Sequence, residues 1–189
     1  NVNEAPAFTS SATFSAAENQ TTAGTVAASD ADGNSITYSI SGTDASSMAI
    51  NSSSGALTFN SAPDYETKTS YSVTATASDG TNSTTQAITV NITNVNEAPA
   101  FTSSATFSAA ENQTTIGTVV ASDVEGQSIT YSISGTDSSS MAINSSSGAL
   151  TFNSAPDYET KNSYSVTATA SDGTNSTTQS ITVNVTDVN

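Results

Sequence analysis

Apolar and polar residues alternate in short runs along the whole chain. In the run "SITYSIS" at 35–41, the residues Ile36, Tyr38 and Ile40 fall on one face. A period of two residues is typical of a strand with one buried face, and no segment sustains the 3.6-residue period of an amphipathic helix. The pattern therefore predicts an all-β protein. In the first half of the chain the other runs lie at 12–17, 23–28, 47–50, 55–59, 70–77 and 86–93.

Turn-forming pairs separate these runs. Asp32-Gly33, Ser54-Gly55 and Asp79-Gly80 each place a glycine where a tight turn needs one. Seven short strands within about a hundred residues predict a Greek-key β-sandwich with immunoglobulin-like architecture. The chain has no cysteine and no tryptophan, so it lacks the disulfide and the buried indole of antibody domains. The likeness to those domains is one of architecture only.

The sequence is a tandem repeat, because a shift of 93 residues matches residues 1–93 to residues 94–186 at all but nine positions. A unit of this length can bury a core of its own. We therefore predict two domains. Residues 1–93 begin with a linker segment at 1–6, and residues 94–189 begin with a linker at 94–99 and end in the start of a further linker at 187–189. The differing pairs are Ala23/Ile116, Ala27/Val120, Ala31/Val124, Asp32/Glu125, Asn34/Gln127, Ala45/Ser138, Thr69/Asn162, Ala87/Ser180 and Ile92/Val185.

The charge and composition exclude several classes of function. The chain has 17 acidic and two basic residues and a formal charge of -15, which excludes nucleic acid and anionic membrane as natural partners. Without histidine or cysteine it lacks the usual zinc sites and catalytic triads, so we expect no enzymatic activity. No apolar run reaches the roughly 18 residues of a spanning helix, so we expect no membrane insertion by this segment. Such a composition suits an exposed, extracellular stalk.

The acidic residues form short words that recur in the same order in both repeats. Only Asp44 and Asp137 lie outside these words, and Asp187 opens the next linker. An isolated "DADG" is an ordinary turn, and it lacks the flanking helices and twelfth-position Glu of an EF-hand. The acids of the recurring words are Glu18 and Glu111 in "AEN"; Asp30, Asp32, Asp123 and Glu125 in "DADG" and "DVEG"; Asp64, Glu66, Asp157 and Glu159 in "PDYE"; Asp79 and Asp172 in "SDG"; and Glu4 and Glu97 in "NVNEAP".

This series of words resembles the cadherin repeat. Cadherin domains carry x-E-x, then D-x-D, then an L-D-x-E word, then A-x-D-x-G, and end on a linker of the form D-x-N-D-N-A-P-x-F. Here "AEN", "DADG", "PDYE", "ATASDG" and "NVNEAPAF" follow in that order in both repeats, so the resemblance covers the whole chain. Linkers of the "DVNEAP" type are most similar to those in cadherin-like repeats of large bacterial surface proteins.

The resemblance implies a calcium site at the internal junction. It implies about three Ca²⁺ ions there, and Ca²⁺ suits such a set because it takes six to eight hard oxygen ligands. Because the sequence departs from the family pattern, we expect at least two of these ions. The linker departs from the family pattern at Asn94, Glu97 and Ala98, which lowers the ligand charge. The implied ligands are Glu18, Asp64 and Glu66 from the first repeat; Asn94, the Val95 carbonyl, Asn96 and Glu97 from the linker; and Asp123, Glu125 and Asp172 from the second repeat.

Electrostatics supports the same reading. Like charges a few ångströms apart repel by roughly 1 kcal/mol per pair even in water, and two lysines cannot neutralise seven junction carboxylates. The resemblance also implies two incomplete sites at the ends of the segment, which we expect to bind calcium more weakly. They comprise Asn3, Glu4, Asp30, Asp32 and Asp79 as an N-terminal half-site, and Glu111, Asp157, Glu159 and Asp187 as a C-terminal half-site.

Two functional hypotheses remain open at this point. Near-identity of neighbouring repeats favours a spacer, so the first is a calcium-stiffened extender or adhesion module of a secreted bacterial adhesin. In it the partners are the neighbouring repeats of the same chain, and the calcium removes the freedom of a linker of some seven residues. The alternative is an adhesion domain that itself binds a second copy of the protein or a carbohydrate. The strand exchange of vertebrate cadherins inserts an N-terminal Trp, which is absent here.

Overall fold

A computed structural model describes residues 2–188, which form two compact units. The division between the units falls between Val95 and Asn96. The first unit contains nine strands, β1 Ala7–Phe8, β2 Thr13–Ala17, β3 Thr22–Thr25, β4 Ala28–Ser29, β5 Thr37–Ser41, β6 Met48–Ile50, β7 Ala56–Phe59, β8 Ser70–Ser78 and β9 Ser83–Thr93, and a 3-10 turn at Ala45–Ser47.

The second unit repeats this series of elements. Its strands are β10 Ala100–Phe101, β11 Thr106–Ala110, β12 Thr115–Thr118, β13 Ala121–Ser122, β14 Thr130–Ser134, β15 Met141–Ile143, β16 Ala149–Phe152, β17 Ser163–Ser171 and β18 Ser176–Thr186, with a 3-10 turn at Ser138–Ser140. No described helix is both long and apolar enough to cross a membrane.

Seven of the strands in each unit form two sheets. In the first unit the four-stranded sheet has the order β2-β9-β8-β5 and the three-stranded sheet the order β3-β7-β6; in the second unit the orders are β11-β18-β17-β14 and β12-β16-β15. The pairs β2–β9 and β11–β18 are parallel, and the other pairs are antiparallel. The predicted all-β sandwich is confirmed.

A short extra pair of strands, β1 with β4, was not predicted. The run at 23–28, read as one strand from its sequence, ends as β3 at Thr25 and resumes as β4 at Ala28. The break follows from Val26, which is fully buried and donates its amide to the Gly55 carbonyl at 2.9 Å instead of to a neighbouring strand. The chain therefore leaves one sheet here and joins β1.

The core of each unit lies between its two sheets. In the first unit Val73 and Ala75 of β8 and Ile88 of β9 alternate with exposed or half-buried residues, and they share one core cluster with Leu57 and Phe59 of β7. Burial of each of the larger side chains (Val73, Ile88, Leu57, Phe59) contributes roughly 1.5–3 kcal/mol to stability before entropy is counted. The second unit builds the same core from the equivalent residues. The predicted alternation in these strands thus corresponds to burial on one face.

The outer face of the four-stranded sheet carries no charged residue in the part of the first unit that the structure describes. Its outward positions are short hydroxyl side chains with two alanines and one asparagine. The acidic words lie instead in loops and strand ends, so the charge is segregated from the sheet face. The outward positions are Thr13, Ser15 and Ala17; Thr37, Ser39 and Ser41; Ser70, Ser72, Thr74, Thr76 and Ser78; and Ser83, Thr85, Ala87, Thr89, Asn91 and Thr93.

Both lysines of the chain form ion pairs inside the units. Lys68 Nζ donates to Asp44, which is only 9% exposed and also accepts the Ser72 amide at 2.8 Å. The ammonium group lies 4.6 Å from the centre of the Tyr71 ring, and that ring meets Phe59 edge-on with 5.0 Å between centroids. The second unit repeats this cluster with Asp137, Lys161, Ser165, Tyr164 and Phe152.

These pairs join the only two basic residues to the only two acids outside the recurring words. The hydrogen bond from Lys68, helped by the Ser72 amide, outweighs desolvation and lowers the pKa of Asp44 below its ordinary value. The pKa of Asp137 is lowered for the same reasons, with Lys161 as the main cause. The folded state therefore favours the ionised forms of both carboxyl groups.

We predict that Asp44→Asn and Asp137→Asn, made together, lower the free energy of unfolding by about 1 kcal/mol per unit at neutral pH, since each removes a screened, charge-assisted hydrogen bond. Because the folded pKa lies below the unfolded value, this stabilisation is complete above about pH 4 and is lost as pH falls through the folded pKa. Urea unfolding in EDTA at a series of pH values measures the difference. Lys68→Met with Lys161→Met is the matched control, because it removes the lysine partner of each ion pair. If the aspartate variant lost the same unfolding free energy at every pH, the prediction would be contradicted.

Candidate metal centre

Each unit carries candidate oxygen ligands at two places, one where the chain enters the unit and one where it leaves. We call these the N-terminal group and the C-terminal group of the unit. In the first unit the N-terminal group is Asn3, Glu4, Asp30, Asp32 and Asp79, and the C-terminal group is Glu18, Asp64, Glu66, Asn94 and Val95. In the second unit they are Asn96, Glu97, Asp123, Glu125 and Asp172, and Glu111, Asp157, Glu159 and Asp187.

Glu18 is the buried centre of the first C-terminal group. It follows β2 directly and is 3% exposed. Its Oε1 accepts the amide of Val95 at 2.7 Å, and its Oε2 accepts the amide of Tyr65 at 2.7 Å. Its own amide donates to the carbonyl of Thr93 at 3.1 Å. One carboxylate therefore joins the beginning of the linker to the loop between β7 and β8.

Asp64 and Glu66 bring two more carboxylates to this group. Asp64 accepts the side-chain hydroxyl of Thr67 at 2.9 Å and its amide at 3.1 Å, and these bonds lower the pKa of Asp64 below its ordinary value. Glu66 accepts the side-chain amide of Asn94 at 2.9 Å, and its carboxylate lies within 4.8 Å of that of Glu18. The group therefore concentrates negative charge around the first two residues of the linker.

The second C-terminal group repeats this geometry. Glu111 is 5% exposed and accepts the amides of Val188 at 3.0 Å and Tyr158 at 3.1 Å. Carboxylate oxygens of Glu111, Glu159 and Asp187 all lie within 4.8 Å of one another. The backbone amide of Glu159 lowers the pKa of its carboxyl group, but desolvation and repulsion from Glu111 and Asp187 outweigh this and raise that pKa. Acids this close together resist full ionisation unless a cation joins them.

The first N-terminal group is built on the "DADG" turn. Asp30 Oδ1 accepts the amides of Asp32 at 2.9 Å and Asn34 at 3.1 Å, and Asp32 accepts the amide of Glu4 at 2.9 Å. The other oxygen of Asp30, Oδ2, is shielded from solvent and has no hydrogen-bond partner. An anionic oxygen of this kind is costly without a partner, so the position suits a cation. In the second unit Asp123 Oδ2 is likewise shielded without a partner.

Asn3 is held by three side chains of the first unit. Its Nδ2 donates to Asp79 at 2.7 Å, its Oδ1 accepts Asn34 Nδ2 at 2.6 Å, and its backbone carbonyl accepts Asn82 Nδ2 at 2.9 Å. Asp79 also accepts the amides of Asn82 and Thr81, at 2.6 and 2.7 Å, and these two bonds are the main reason that the pKa of Asp79 is lowered. The linker residue and the "SDG" loop are thus held together.

Asn96 is held in the same way by the second unit. Its Nδ2 donates to Asp172 at 2.8 Å, its carbonyl accepts Asn175 Nδ2 at 2.8 Å, and its Oδ1 accepts Gln127 Nε2. The amide of Glu97 donates to Glu125 at 3.4 Å. Desolvation opposes ionisation of Asp172, but the amides of Thr174 and Asn175 outweigh it and lower its pKa.

The structure thus brings the residues of each of these four groups together inside one unit. Two of the groups are the predicted end half-sites, and the other two are the parts of the predicted junction set that belong to the first and to the second unit. Sequence reasoning missed two pairs of side chains that hold the linker, Asn34 with Gln127 and Asn82 with Asn175. One signal was available for the first pair. Gln127 is one methylene longer than Asn34, and Glu125 is one methylene longer than Asp32, so the two positions change length together.

The donor atoms in these groups are of the kind that calcium prefers. They are carboxylates, side-chain amide oxygens and backbone carbonyls, and the chain has no His or Cys ligand for a softer metal. The unpartnered oxygens of Asp30 and Asp123 and the close carboxylates of the second C-terminal group fit a hard divalent cation. Magnesium fits less well, because it requires near-ideal octahedral geometry and retains its water.

Comparisons with known proteins identify the repeated unit. The family model described as "Cadherin domain" matches residues 12–93 and 105–186. The chain is also similar to protocadherin Fat 4 of Homo sapiens, with 35% identity over 147 residues and 71% of this chain covered, and to that of Mus musculus, with 32% identity over the same span. It spans about 3% of the length of these relatives.

Solved structures of cadherin domains resemble the chain as well. Domains EC1-2 of human protocadherin-24 (Form II) share 25% identity at a TM-score of 0.67, with 98% of this chain and 100% of that chain covered. Domains EC1-4 of Drosophila N-cadherin share 26% identity at a TM-score of 0.66, with 99% of this chain and 50% of that chain covered. The family match covers most of each repeat, so this chain belongs to the cadherin family and consists of two tandem cadherin domains.

Proposed function

We propose that the two domains form a calcium-stiffened extender or adhesion module of an extracellular protein. Calcium ions bind where the C-terminal group of the first unit and the N-terminal group of the second unit share the linker. The supporting observation is the placement of the two lysines. Both are paired with Asp44 and Asp137, so the side chains of the chain supply no further cation for the seven junction carboxylates. A metal from solution supplies that charge.

The proposed mechanism is a linkage between metal binding and order. Ions that bind both units favour arrangements in which the two ligand groups are close, by RT ln(1 + [Ca²⁺]/Kd), or about 2.7 kcal/mol at a hundredfold excess over Kd. The ion count of about three, and at least two, follows from the family resemblance and from a junction charge that three divalent ions nearly neutralise. The two end groups lack half of their ligands in this segment and bind more weakly.

The parent protein is proposed as a large surface protein with further repeats of this kind. The "DVNEAP" linkers favour a bacterial source, although the curated relatives described above are mammalian; the bacterial source stays a prediction. Near-identity of the two repeats supports a spacer role, because a spacer can be built from identical units, while a recognition site is needed only once.

We predict that calcium narrows the distribution of interdomain angles. Small-angle scattering of the two-domain chain in EDTA and in millimolar calcium reports on this distribution. With calcium we expect a longer average molecule and a narrower distribution of interdomain angles, because the ions bind both units and the linker. Magnesium at the same concentration is the control and should have a smaller effect. Identical scattering curves in EDTA and in calcium would refute the stiffening role.

We predict that Asp64→Ala removes two or more calcium-binding events and that Asp157→Ala does not. The two aspartates are matched, because each accepts a threonine hydroxyl at 2.9 Å in the same turn, so both substitutions cost the same local contact. They differ in that Asp64 belongs to the internal junction and Asp157 to the weaker end group. Isothermal titration calorimetry with calcium counts the events, and equal losses in the two variants would contradict the junction site.

A groove favours the alternative function as a carbohydrate-binding domain. It measures about 450 Å³ in the first unit and is lined by Ser47, Asn60, Pro63, Thr67 and Tyr71, among others. Hydroxyl and amide groups beside an aromatic ring are the chemistry that binds a neutral sugar. An equivalent groove of about 390 Å³ occurs in the second unit around Asn153 and Tyr164.

We predict that, if this alternative holds, Asn60→Ala with Asn153→Ala abolishes binding on a glycan array in the presence of calcium. Each asparagine also donates to the carbonyl of a serine at 2.9 Å, so circular dichroism must show an intact fold in the variant. Binding of a second copy of the chain is the other form of the alternative. Calcium-dependent dimerisation in analytical ultracentrifugation, without glycan binding, would favour that form over the sugar site.

A further inference from the structure

The two ends of the internal linker are held by different units. Asn94 donates to Glu66 at 2.9 Å and Val95 donates to Glu18 at 2.7 Å, so both residues are fastened to the first unit. The bond of Val95 uses the buried carboxylate of Glu18, and the bond of Asn94 uses the exposed carboxylate of Glu66. Neither bond needs a metal. At the end of the second unit the amide of Val188 donates to Glu111 in the same way, at 3.0 Å. The attachment therefore recurs in both units.

From Asn96 onward the linker is fastened to the second unit. Asn96 is held through three of its polar groups, by Asp172, Asn175 and Gln127. Three residues later, Pro99 is among the fully buried side chains of the chain. The first unit holds its own linker segment in the same manner, with Asn3 bonded to three side chains and Pro6 fully buried.

The attachments change from one unit to the other at a single peptide bond. Val95 is bonded to the first unit, Asn96 is bonded to the second, and the compact units divide at this same place. We propose that the metal-free linker has one hinge, at Val95–Asn96, with residues 94–95 and 96–99 ordered as parts of their respective units. A planar peptide bond leaves ψ of Val95 and φ of Asn96 as the soft dihedral angles of this hinge.

This inference replaces the expectation of a flexible linker of some seven residues. Asn175 and Gln127 become positioning residues, which hold the linker on the second unit before any ion binds. The paired change from Asp32 and Asn34 to Glu125 and Gln127 supports this role, because both side chains lengthen by one methylene and the bonds to the linker persist. In the proposed function, calcium then immobilises one hinge instead of a flexible linker of several residues.

The test is ¹⁵N relaxation of the two-domain chain in EDTA, where no calcium contributes. We expect backbone order parameters of about 0.8 or more at Val95 and Glu97, close to the roughly 0.85 of rigid backbone, and a lower value at Asn96, whose N–H lies in the peptide plane of the hinge. Order parameters below about 0.6 throughout 94–98 would overturn the hinge. This outcome is independent of the calcium experiments above, so failure of one proposal is distinguishable from failure of the other.

A matched pair of double variants tests the positioning residues. Asn175→Ala with Gln127→Ala should lower the order parameter of Glu97 below about 0.6 in EDTA and broaden the metal-free scattering distribution. Asn82→Ala with Asn34→Ala removes the equivalent bonds to Asn3 and should leave residues 94–99 unchanged. Unfolding midpoints in EDTA control for general loss of stability. Equal effects of the two variants on the internal linker, or no effect of either, would overturn the assignment.

Discussion

The shortage of positive charge is the constraint on which the rest of the molecule depends. Two lysines accompany 17 acids, and each lysine is paired with an acid of its own unit and lies over a tyrosine ring. The remaining carboxylates lie where the linkers enter and leave the units. The chain does not relieve their mutual repulsion with its own side-chain cations, so these carboxylates are stabilised by backbone amides and, in the proposed function, by ions from solution.

The fold accommodates this shortage by placing the charged residues and the core-packing residues in different parts of each unit. The inward faces of the sheets carry mainly aliphatic and aromatic side chains, and the outer face of the four-stranded sheet carries mainly uncharged hydroxyl side chains. Acids are kept to loops, where amide donors partly stabilise them, as Thr81 and Asn82 do for Asp79. The one deeply buried acid of each C-terminal group, Glu18 or Glu111, is satisfied by two backbone amides. Core packing and the groups proposed to bind cations therefore lie mostly on different residues.

Long strands were predictable from the sequence because one face of each is buried. The alternation in β8 and β9 extends over enough residues to distinguish inward from outward positions, and the structure confirms it. The two-residue strands β1 and β4 are too short to show an alternation of apolar and polar residues, so they were not predicted. The gap after Thr25 was also missed, since it depends on a contact between Val26 and Gly55 that is distant in sequence.

The candidate site was predictable only in part for a similar reason. Acids are conspicuous in a chain with few charges, and their repeated order suggested which of them belong together. The amide side chains of Asn82 and Asn175 gave no such signal, because a donor to a backbone carbonyl has no characteristic neighbour in sequence. Likewise, nothing in the word "AEN" reveals that Glu18 holds the amide of Val95, a bond that spans 77 residues.

The parallel pairing of β2 with β9 has a consequence for tension along the chain. The register runs from Thr13 with Thr89 to Ala17 with Thr93, so the strand near the start of the unit lies beside the strand that ends it. Force on the two chain ends pulls β2 by its first residue and β9 by its last, which slides the neighbours past each other. The hydrogen bonds between β2 and β9 oppose this sliding and bear the force together. They must therefore break together instead of one at a time.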